Sequence, residues 1–431
     1  MPANQGGTRH AFYLAFVSAA ARGPGFLVPL VIATAFGAGP QTDAYFLVYS
    51  AVLLVGGTLG QGVEVAVVPF AARVLRETGG GLHGYLRRAA WEATTVAGVV
   101  WAVAVVALTL GAPPAVRTDV GRYAVTFAPL ALLWCASGVY SGALISQWEI
   151  ASASGSMLWR GAGALLGLSM WPVGGGLGAV AAGLGLGEIS RLWWLHRGFV
   201  RRIPPPAINV VPLAPLRKAA AAQVLAGAAG SLVPVVERVL AGTLGAGTIS
   251  HLEYATRLLV IPTLFFDGGL GPLLLARWSN QLADPTRVPT WREIARPVAK
   301  GLLLAAACAL PLVLFAPQFV SLVLRHGKFT SDDVEAVASL LRVLAVGFVA
   351  SMGALLLERF YLAGVRNRTL AALSLVRAGS RVALVLAFLA SRRLLAFGIG
   401  YAGAETTYLM SLIALATVQS RPQPLGREVG A

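Results

Sequence analysis

The chain has 431 residues, of which 57% are hydrophobic and only 12% are charged. Soluble domains carry about 25% charged residues, so this composition excludes an ordinary water-facing surface. The net charge of +16 would suit nucleic-acid binding, but the sequence has no Arg-rich tail and no basic patch interleaved with aromatic residues. Composition therefore predicts an integral membrane protein with no nucleic-acid partner.

Apolar runs of about 20 residues, the length that crosses the hydrocarbon core as a helix, recur along the sequence. The runs are continuous and do not alternate, so they predict helices and not a barrel. The first run begins like a signal peptide, but it continues through Phe36 and is too long for one. The twelve predicted spans cover residues 11–36, 43–72, 88–111, 121–146, 153–171, 174–198, 217–241, 248–275, 297–324, 333–362, 368–390 and 394–419.

The positive charges predict the orientation of these spans. The N-terminus and the loops after even-numbered spans carry about three times as many Lys and Arg residues as the opposite loops. Cytoplasmic loops retain such residues, so we expect both termini in the cytoplasm. Arg392 and Arg393 lie on the opposite side in this scheme, which makes the last hairpin its weakest part.

A proline run separates two halves of the chain. Arg201-Arg202-Ile203-Pro204-Pro205-Pro206 cannot continue a helix, and it predicts a cytoplasmic linker at 199–216. The N-lobe, 1–198, and the C-lobe, 217–431, would each hold six spans. Phe36-Gly37-Ala38-Gly39 closes the first span and Leu244-Gly245-Ala246-Gly247 the seventh, which indicates parallel repeats. The expected fold is all-α, with about twelve transmembrane helices in two lobes around a central cavity.

The sequence contains no recognisable catalytic constellation. No P-loop is present, and the two cysteines and five histidines form no metal-binding pattern. We therefore expect a transporter and not an enzyme, with no cofactor and no metal. Without a nucleotide-binding domain, transport would be secondary or passive.

Ionisable residues inside spans are the candidate site residues, because they are costly in lipid and usually face a cavity or a partner. Arg377 and Arg381 share one face of the eleventh span. They suggest an anionic ligand, acids on another helix, or snorkelling to an interface. Arg238 in the seventh span and Arg257 in the eighth are further candidates. For Arg257, an i,i+4 pair with Glu253 is the alternative.

Two interruptions at matching places in the lobes indicate a central site. Arg22 precedes Gly23-Pro24-Gly25, where the first span should kink or break. The seventh span has its counterpart over 227–234, which ends at Pro234. Close helix packing through small residues is the other interpretation. Asp43, near the start of the second span, is expected to cap that helix.

Three segments carry a family resemblance. Phe36 to Gly39, followed by Thr42-Asp43-Ala44-Tyr45-Phe46, resembles the FGAG…TDAFF segment of MurJ/MviN-type lipid II flippases. Tyr254-Ala255-Thr256-Arg257-Leu258 is similar to the YADRL stretch of that family, and His326-Gly327-Lys328-Phe329-Thr330 to its YGKFT loop. The resemblance implies the two-lobed fold of the multidrug/oligosaccharidyl-lipid/polysaccharide exporter superfamily and alternating access around a cationic cavity.

The resemblance also assigns residues by position. It matches Arg22 and Arg257 to arginines of the family's first and eighth spans, and Asp43 to its second-span aspartate. The chain departs from the family pattern where that pattern has charged residues, at Val28, Pro29, Gly56, Gly57 and Gln61. It also has twelve predicted spans where the family usually has fourteen.

The expected function is that of a flippase for a polyprenyl-pyrophosphate-linked saccharide, most simply lipid II for peptidoglycan synthesis, in the bacterial inner membrane. Five arginines would bind the headgroup: Arg22, Arg238, Arg257, Arg377 and Arg381. The expected partners are this lipid-linked anionic saccharide, the bilayer and cell-wall synthesis proteins, with the protein a monomer. Three alternatives stay open: an O-antigen-type flippase, a cation-coupled exporter using Glu64 or Glu92, and a membrane scaffold that transports nothing.

Overall fold

The computed structural model describes residues 20–21, 23, 25, 27–78, 82–112, 114, 116–147, 149–170, 174–202, 212–266, 270–282, 290–363 and 367–419. These residues are almost entirely helical, and no strand occurs among them. Helical structure is expected, because backbone groups in lipid must satisfy their hydrogen bonds within their own segment.

Over its described residues, each predicted span falls on one or more helices. The described helices are α1 (Leu27–Phe36), α2 (Pro40–Val52), a π-helical segment (Leu53–Leu59), α3 (Gly60–Thr78), α4 (Leu82–Gly111), α5 (Arg117–Ser146), α6 (Ile150–Gly155), α7 (Met157–Ser169), α8 (Gly176–Arg202), α9 (Ala214–Gly242), α10 (Thr248–Phe265), α11 (Gly271–Leu282), α12 (Trp291–Leu314), α13 (Ala316–Leu324), α14 (Ser331–Ala363), α15 (Asn367–Arg392) and α16 (Leu395–Gln419).

Several of these helices are long and apolar enough to cross a bilayer on their own. Among the described residues they are six: Pro40–Ala71, Leu82–Gly111, Arg117–Ser146, Trp291–Leu314, Ser331–Ala363 and Thr369–Arg392. A bent pair, Ala214–Leu225 with Gly230–Gly242, makes a seventh if it is one span. Large exposed apolar side chains on α4, such as Trp91 and Leu110, suit contact with lipid.

The chain forms two compact units. Unit 1 comprises Met1–Arg257 and Val320–Ala336, and unit 2 comprises Leu258–Phe319 and Val337–Ala431. The predicted lobe boundary at 199–216 stays a prediction, and residues 203–211 of it lie outside the described part of the chain.

Close backbone contact holds the centre of unit 1 together. Helix α5 packs against α3, α4 and α8, and α7 packs against α8. Along the α7–α8 contact, a Cβ added to Gly163 would lie only 2.8 Å from the Gly187 Cα atom, and one added to Gly167 only 2.7 Å from the Val180 Cα atom. Glycine is needed at these positions because the two backbones touch, as in small-residue packing of membrane helices.

Unit 2 is built around α14, α15 and α16, with α15 packed against α16. Gly347 of α14 lies against the ring of Tyr401 on α16, where a Cβ would be 2.7 Å from a ring carbon. Helix α15 is mostly exposed on its outer face, with Leu375, Val376 and Leu386 among its exposed apolar side chains.

Candidate functional site

The two predicted helix interruptions have different outcomes. Gly23 and Gly25 are helical, while Arg22 and Pro24 lie outside the described residues, so a break in the first span stays a prediction. Helix α9 bends by 46° between Leu225 and Gly230, within the segment where an interruption was predicted. Pro234 lies one turn beyond the bend and inside the helix.

Arg257 and Arg238 meet at one carboxylate in unit 1. The Arg257 Nε atom donates to Glu253 Oε1 at 2.6 Å, and Arg238 Nη2 donates to Glu253 Oε2. Arg238 Nη1 also donates to the Pro234 carbonyl oxygen at 2.9 Å, one turn back on α9. The i,i+4 pair considered for Arg257 is therefore present, and Arg238 joins it from the neighbouring helix.

This cluster has one more positive than negative charge. Glu253 is buried, whereas the Arg257 side chain is 21% exposed. Among the described residues, the only hydrogen bond of Arg257 is the one from Nε, so both terminal nitrogens stay available. The Arg257 Cζ atom lies 5.9 Å from the centroid of the Tyr49 ring. A buried carboxylate thus holds Arg257 through its Nε atom, while part of the Arg257 side chain stays exposed.

In unit 2, Arg377 is bound by acids on other helices. Its Nε and Nη2 atoms donate to Glu405 Oε1 at 2.9 and 2.6 Å, and its Nη1 atom lies 3.7 Å from Glu358 Oε1. Arg381 places its Cζ atom 4.9 Å from the centroid of the Tyr401 ring. For Arg377 the structure shows the second of the three interpretations, an acidic partner on another helix. Headgroup binding by either arginine stays a prediction.

Asp43 does not cap its own helix, so that prediction is wrong. Its amide already donates to the Gly39 carbonyl oxygen at 2.9 Å, and the first turn of α2 is closed by Thr42, whose Oγ1 atom accepts from Gly39 N at 2.9 Å. The Asp43 carboxylate accepts from Gly247 N at 2.6 Å and from Ser250 N at 2.8 Å. It therefore caps the start of α10, where first-turn amides have no partner within the helix.

The segments that carry the family resemblance come together around this contact. The Tyr254 hydroxyl donates to the Gly37 carbonyl oxygen at 2.9 Å, and its ring meets that of Phe329 edge to face at 5.7 Å between centroids. Lys328 N donates to the Thr34 carbonyl oxygen at 3.0 Å. We call these residues, with Asp43, Gly247, Ser250, His251, Gly327 and Asp333, the motif cluster.

Two glycines allow this approach. Gly37 has φ +71° and Gly327 has φ +64°, in the left-handed region that other residues rarely adopt. A Cβ on Gly37 would lie 2.8 Å from the Lys328 carbonyl oxygen, and one on Gly327 would overlap the Thr34 carbonyl. The α1–α2 and α13–α14 turns therefore pack backbone against backbone. On the predicted topology, the motif cluster lies at the periplasmic end of the spans.

A second buried ion cluster contains none of the predicted site residues. Arg160 on α7 donates through Nε and Nη2 to Glu188 Oε2 on α8, at 2.7 and 2.5 Å, and Arg191 Nη1 donates to Glu188 Oε1 at 3.2 Å. The glycines that bring α7 and α8 into contact are the signal that could have found it, since they occur at four-residue spacing on both helices.

Comparison with known proteins places this arrangement in a family. The family model described as lipid II flippase MurJ matches residues 204–425, just over half of the chain. The chain belongs to the MurJ family. The predicted resemblance to MurJ/MviN-type lipid II flippases is thereby confirmed.

Curated MurJ-family relatives match over shorter stretches. The lipid II flippase MurJ of Burkholderia cenocepacia is 30% identical over 152 residues, which cover 33% of this chain and 30% of that protein. The probable lipid II flippase MurJ of Bdellovibrio bacteriovorus is 30% identical over 129 residues, covering 30% of this chain and 24% of that protein. The matched segments thus span less than a third of either relative.

Solved structures extend the likeness to the whole fold. A lipid II flippase MurJ in an inward closed conformation gives a TM-score of 0.78 at 14% identity, covering 95% of this chain and 90% of that one. An inward-facing MATE family multidrug transporter of the MOP superfamily gives 0.75 at 14% identity, covering 94% and 98%. The predicted all-α membrane fold is confirmed.

Proposed function

We propose that this MurJ-family protein is a flippase for a polyprenyl-pyrophosphate-linked saccharide, with lipid II the expected substrate, and that it works by alternating access without catalysing a reaction. The observation that carries the proposal is the Arg257 cluster. An arginine inside the spans, held through one nitrogen by a buried carboxylate, keeps a guanidinium edge free for a phosphate. Such planar donors bind phosphate oxygens in pairs.

The charge balance of the cluster supports an anionic headgroup. Two guanidinium groups share the Glu253 carboxylate, so within this cluster one positive charge is left over in a region of low polarity. A charge in such a place is expensive, and intramembrane charges usually serve a ligand or a transport path. A pyrophosphate would supply the missing negative charge, while the lipid tail stays in the bilayer.

The motif cluster supports alternating access. It joins α1–α2, α9–α10 and α13–α14 at the end predicted to face the periplasm, through hydrogen bonds that involve side chains and a turn backbone. Bonds of this kind can break together when that end opens, since they lie in turns and at helix ends. We infer that the structure corresponds to a state closed at that end.

A cation-coupled exporter is the competing transport function, because a MATE transporter shares the fold. Its acidic site in the N-terminal half would need Glu64 or Glu92. Glu64 Oε1 accepts from the Ser141 hydroxyl at 2.9 Å. Glu92 is bound by two nitrogens of Arg217, at 2.9 and 2.6 Å, and lies partly exposed. Both carboxylates therefore already have partners within the protein, which favours an anionic substrate over a cationic one.

The test is flipping of a fluorescent lipid-linked pyrophosphate saccharide by the purified chain in proteoliposomes. Arg257→Ala should lower headgroup affinity by about one to two orders of magnitude, because a charge-assisted contact contributes about 1.5–3 kcal/mol. Arg257→Lys should restore part of it, since lysine keeps the charge but lacks the planar fork. Arg197→Ala is the matched control, because this arginine is exposed over Trp193 in the same unit.

Two outcomes would contradict the proposal. No flipping by the wild-type chain, together with failure to complement a strain depleted of its own lipid II flippase, would favour the scaffold alternative. If Arg257 serves only its ion pair, Glu253→Ala should do equal damage and the double variant should be no worse than either single one. Folded yield by size exclusion separates these results from loss of structure.

A further inference from the structure

A basic pocket lies in unit 2, between α11 and the first turns of α12. Its volume is about 530 Å³, which is within the range of about 300–1,000 Å³ that is usual for ligand sites. Four cationic side chains line it, and all four are exposed: Arg277 of α11, and Arg292, Arg296 and Lys300 of α12. The pocket contains none of the arginines assigned to the transported headgroup, so what it binds does not depend on the proposed function.

The charge of the basic pocket is unbalanced. Glu293 is the one carboxylate among the described residues that line it, and its Oε2 atom already accepts from Thr290 N at 2.9 Å and from Thr290 Oγ1 at 3.2 Å. None of the four cations forms an ion pair with another residue that the structure describes. Arg292, Arg296 and Lys300 follow at four-residue spacing, where like charges on a helix repel each other. An anion in the pocket would supply the missing negative charge.

Helix α12 has two faces of different character. Its buried face consists of Ile294, Val298, Gly301, Ala305, Ala309 and Leu312. Gly301 lies against Leu356 of α14, where a Cβ would overlap the leucine side chain. The three cations of α12 lie on the opposite face, which further along the helix carries the exposed side chains of Leu303, Leu304, Leu310 and Leu314. We call these four leucines the leucine face. Cationic and apolar side chains thus share one exposed side of the helix.

The indole of Trp278 fixes α11 against α14. Trp278 is fully buried, and its ring meets that of Phe360 edge to face at 5.7 Å between centroids. Arg277, the residue before it, is exposed and lines the basic pocket. Cations from two helices, each of which is held against α14 by a buried residue, therefore converge on one volume.

The length of the leucine face suits an acyl chain. From Lys300 to Leu314 the helix rises about 21 Å, since each residue adds about 1.5 Å. One leaflet contributes about half of a hydrocarbon core of about 30 Å, so the face runs through the depth of a leaflet. On the predicted topology the cations lie at the cytoplasmic end, where negatively charged lipids attract basic segments next to a span. A soluble phosphate would use the pocket but not the leucine face.

We propose that the basic pocket binds the phosphate headgroup of an anionic glycerophospholipid of the cytoplasmic leaflet, whose acyl chains lie along the leucine face. The arginines donate pairs of N–H groups to the phosphate oxygens, and Lys300 adds a point charge where the apolar stretch begins. The lipid bridges α11 and α12 through their cations. Its binding offsets the repulsion along α12 and therefore stabilises the folded chain.

The experiment measures lipid binding to the full chain in neutral detergent by native mass spectrometry. The probes are phosphatidylglycerol and phosphatidylcholine with the same acyl chains, which differ in net charge, and the wild-type chain should prefer phosphatidylglycerol. Arg292→Gln together with Arg296→Gln should weaken phosphatidylglycerol binding about thirtyfold, at about fivefold for each cation, and should leave phosphatidylcholine binding almost unchanged. Arg197→Gln together with Arg201→Gln is the matched control and should keep the wild-type preference. These exposed arginines of α8 have the same spacing and predicted membrane side but lie outside the basic pocket.

Three results would overturn the inference. Equal affinity of the wild-type chain for the two lipids would leave the pocket to an acidic segment of a partner protein. Equal losses in the two double variants would mean that the lipid responds only to overall charge. Inorganic phosphate that raises the melting temperature as much as phosphatidylglycerol would identify a soluble anion as the ligand.

A second pair of substitutions keeps the test available if Arg292→Gln with Arg296→Gln does not fold, as judged by size exclusion. Arg277→Gln together with Lys300→Gln removes one cation from each helix of the basic pocket. This variant should lose the preference for phosphatidylglycerol to a similar extent, and a wild-type preference in it also overturns the inference.

Discussion

Replacing Asp43 by asparagine probes the motif cluster with almost no change in shape. The carboxylate accepts three hydrogen bonds, from Gly247 N at 2.6 Å, from Ser250 N at 2.8 Å and from Ser250 Oγ at 2.6 Å. In either orientation of its amide, the introduced side chain would turn an N–H toward one of these backbone donors. One charge-assisted bond, contributing about 1.5–3 kcal/mol, is lost and the others become neutral and weaker.

The expected cost of Asp43→Asn is therefore about 2–4 kcal/mol for the closed arrangement. That free energy corresponds to an increase of about 30- to 1,000-fold in the population in which these bonds are open. Hydrogen exchange of a peptide covering residues 243–252 measures it directly, because this segment contains both protected amides. We expect Asp43→Asn to exchange faster by roughly this factor.

Ser250→Ala is the matched control for this experiment. It removes only the hydroxyl donor and leaves both backbone bonds to Asp43, so the cost should be about 1 kcal/mol and the acceleration about fivefold. If the exchange in folded Asp43→Asn matches wild type, or only equals that of Ser250→Ala, the carboxylate does not hold the start of α10 closed.

Two further predictions concern the turns and the topology. Gly327→Ala should lower the melting temperature, because both φ +64° and the facing Thr34 carbonyl exclude a Cβ atom at this position. Gly84→Ala is the control: Gly84 is helical with open space around it, so its replacement should be neutral or stabilise the protein by about 0.5–1 kcal/mol. Equal melting temperatures of the two variants would contradict this reasoning. Reporter fusions after Arg202 and after Gly175 should report cytoplasm and periplasm respectively, and a periplasmic signal at Arg202 would reverse the predicted orientation.

The positions of the helices could be predicted because one physical constraint dominates them. A segment in lipid must be apolar over its whole length and must bond its own backbone, so composition alone locates it. The predicted span 121–146 falls within α5, Arg117–Ser146, and the predicted span 333–362 within α14, Ser331–Ala363. The ends extend a few residues further because polar residues continue a helix into the interface.

Partners across helices could not be predicted in the same way. Periodicity places Arg377 and Arg381 on one face but does not say which helix packs there, and Glu405 lies 28 positions along the chain. The same limit explains the error at Asp43. An acidic residue near the start of a helix usually caps that helix. The Asp43 carboxylate instead accepts from Ser250, 207 positions away, because Thr42 already closes the first turn of α2.

The contact between Arg160 and Glu188 could have been predicted from the sequence. Both residues were recognisable as charges inside spans, and the glycines of α7 and α8 predict that those helices touch. A Cβ on Gly187 would lie 2.8 Å from the Arg160 Cα atom, so the residue after it, Glu188, is placed beside Arg160. Combining the glycine spacing with the charges would have predicted the contact.

The discontinuity of unit 1 has a consequence for how the protein is made. A membrane chain is inserted from its N-terminus, so Asp43 and Ser250 can bond as soon as α10 has entered the bilayer. The His251–Asp333 contact at 2.8 Å and the Lys328–Thr34 hydrogen bond must wait for the turn before α14. The motif cluster therefore forms in two stages during synthesis. Until the second stage, the Thr34 carbonyl lacks its partner, and the nascent chain remains dependent on water or insertion machinery at that end.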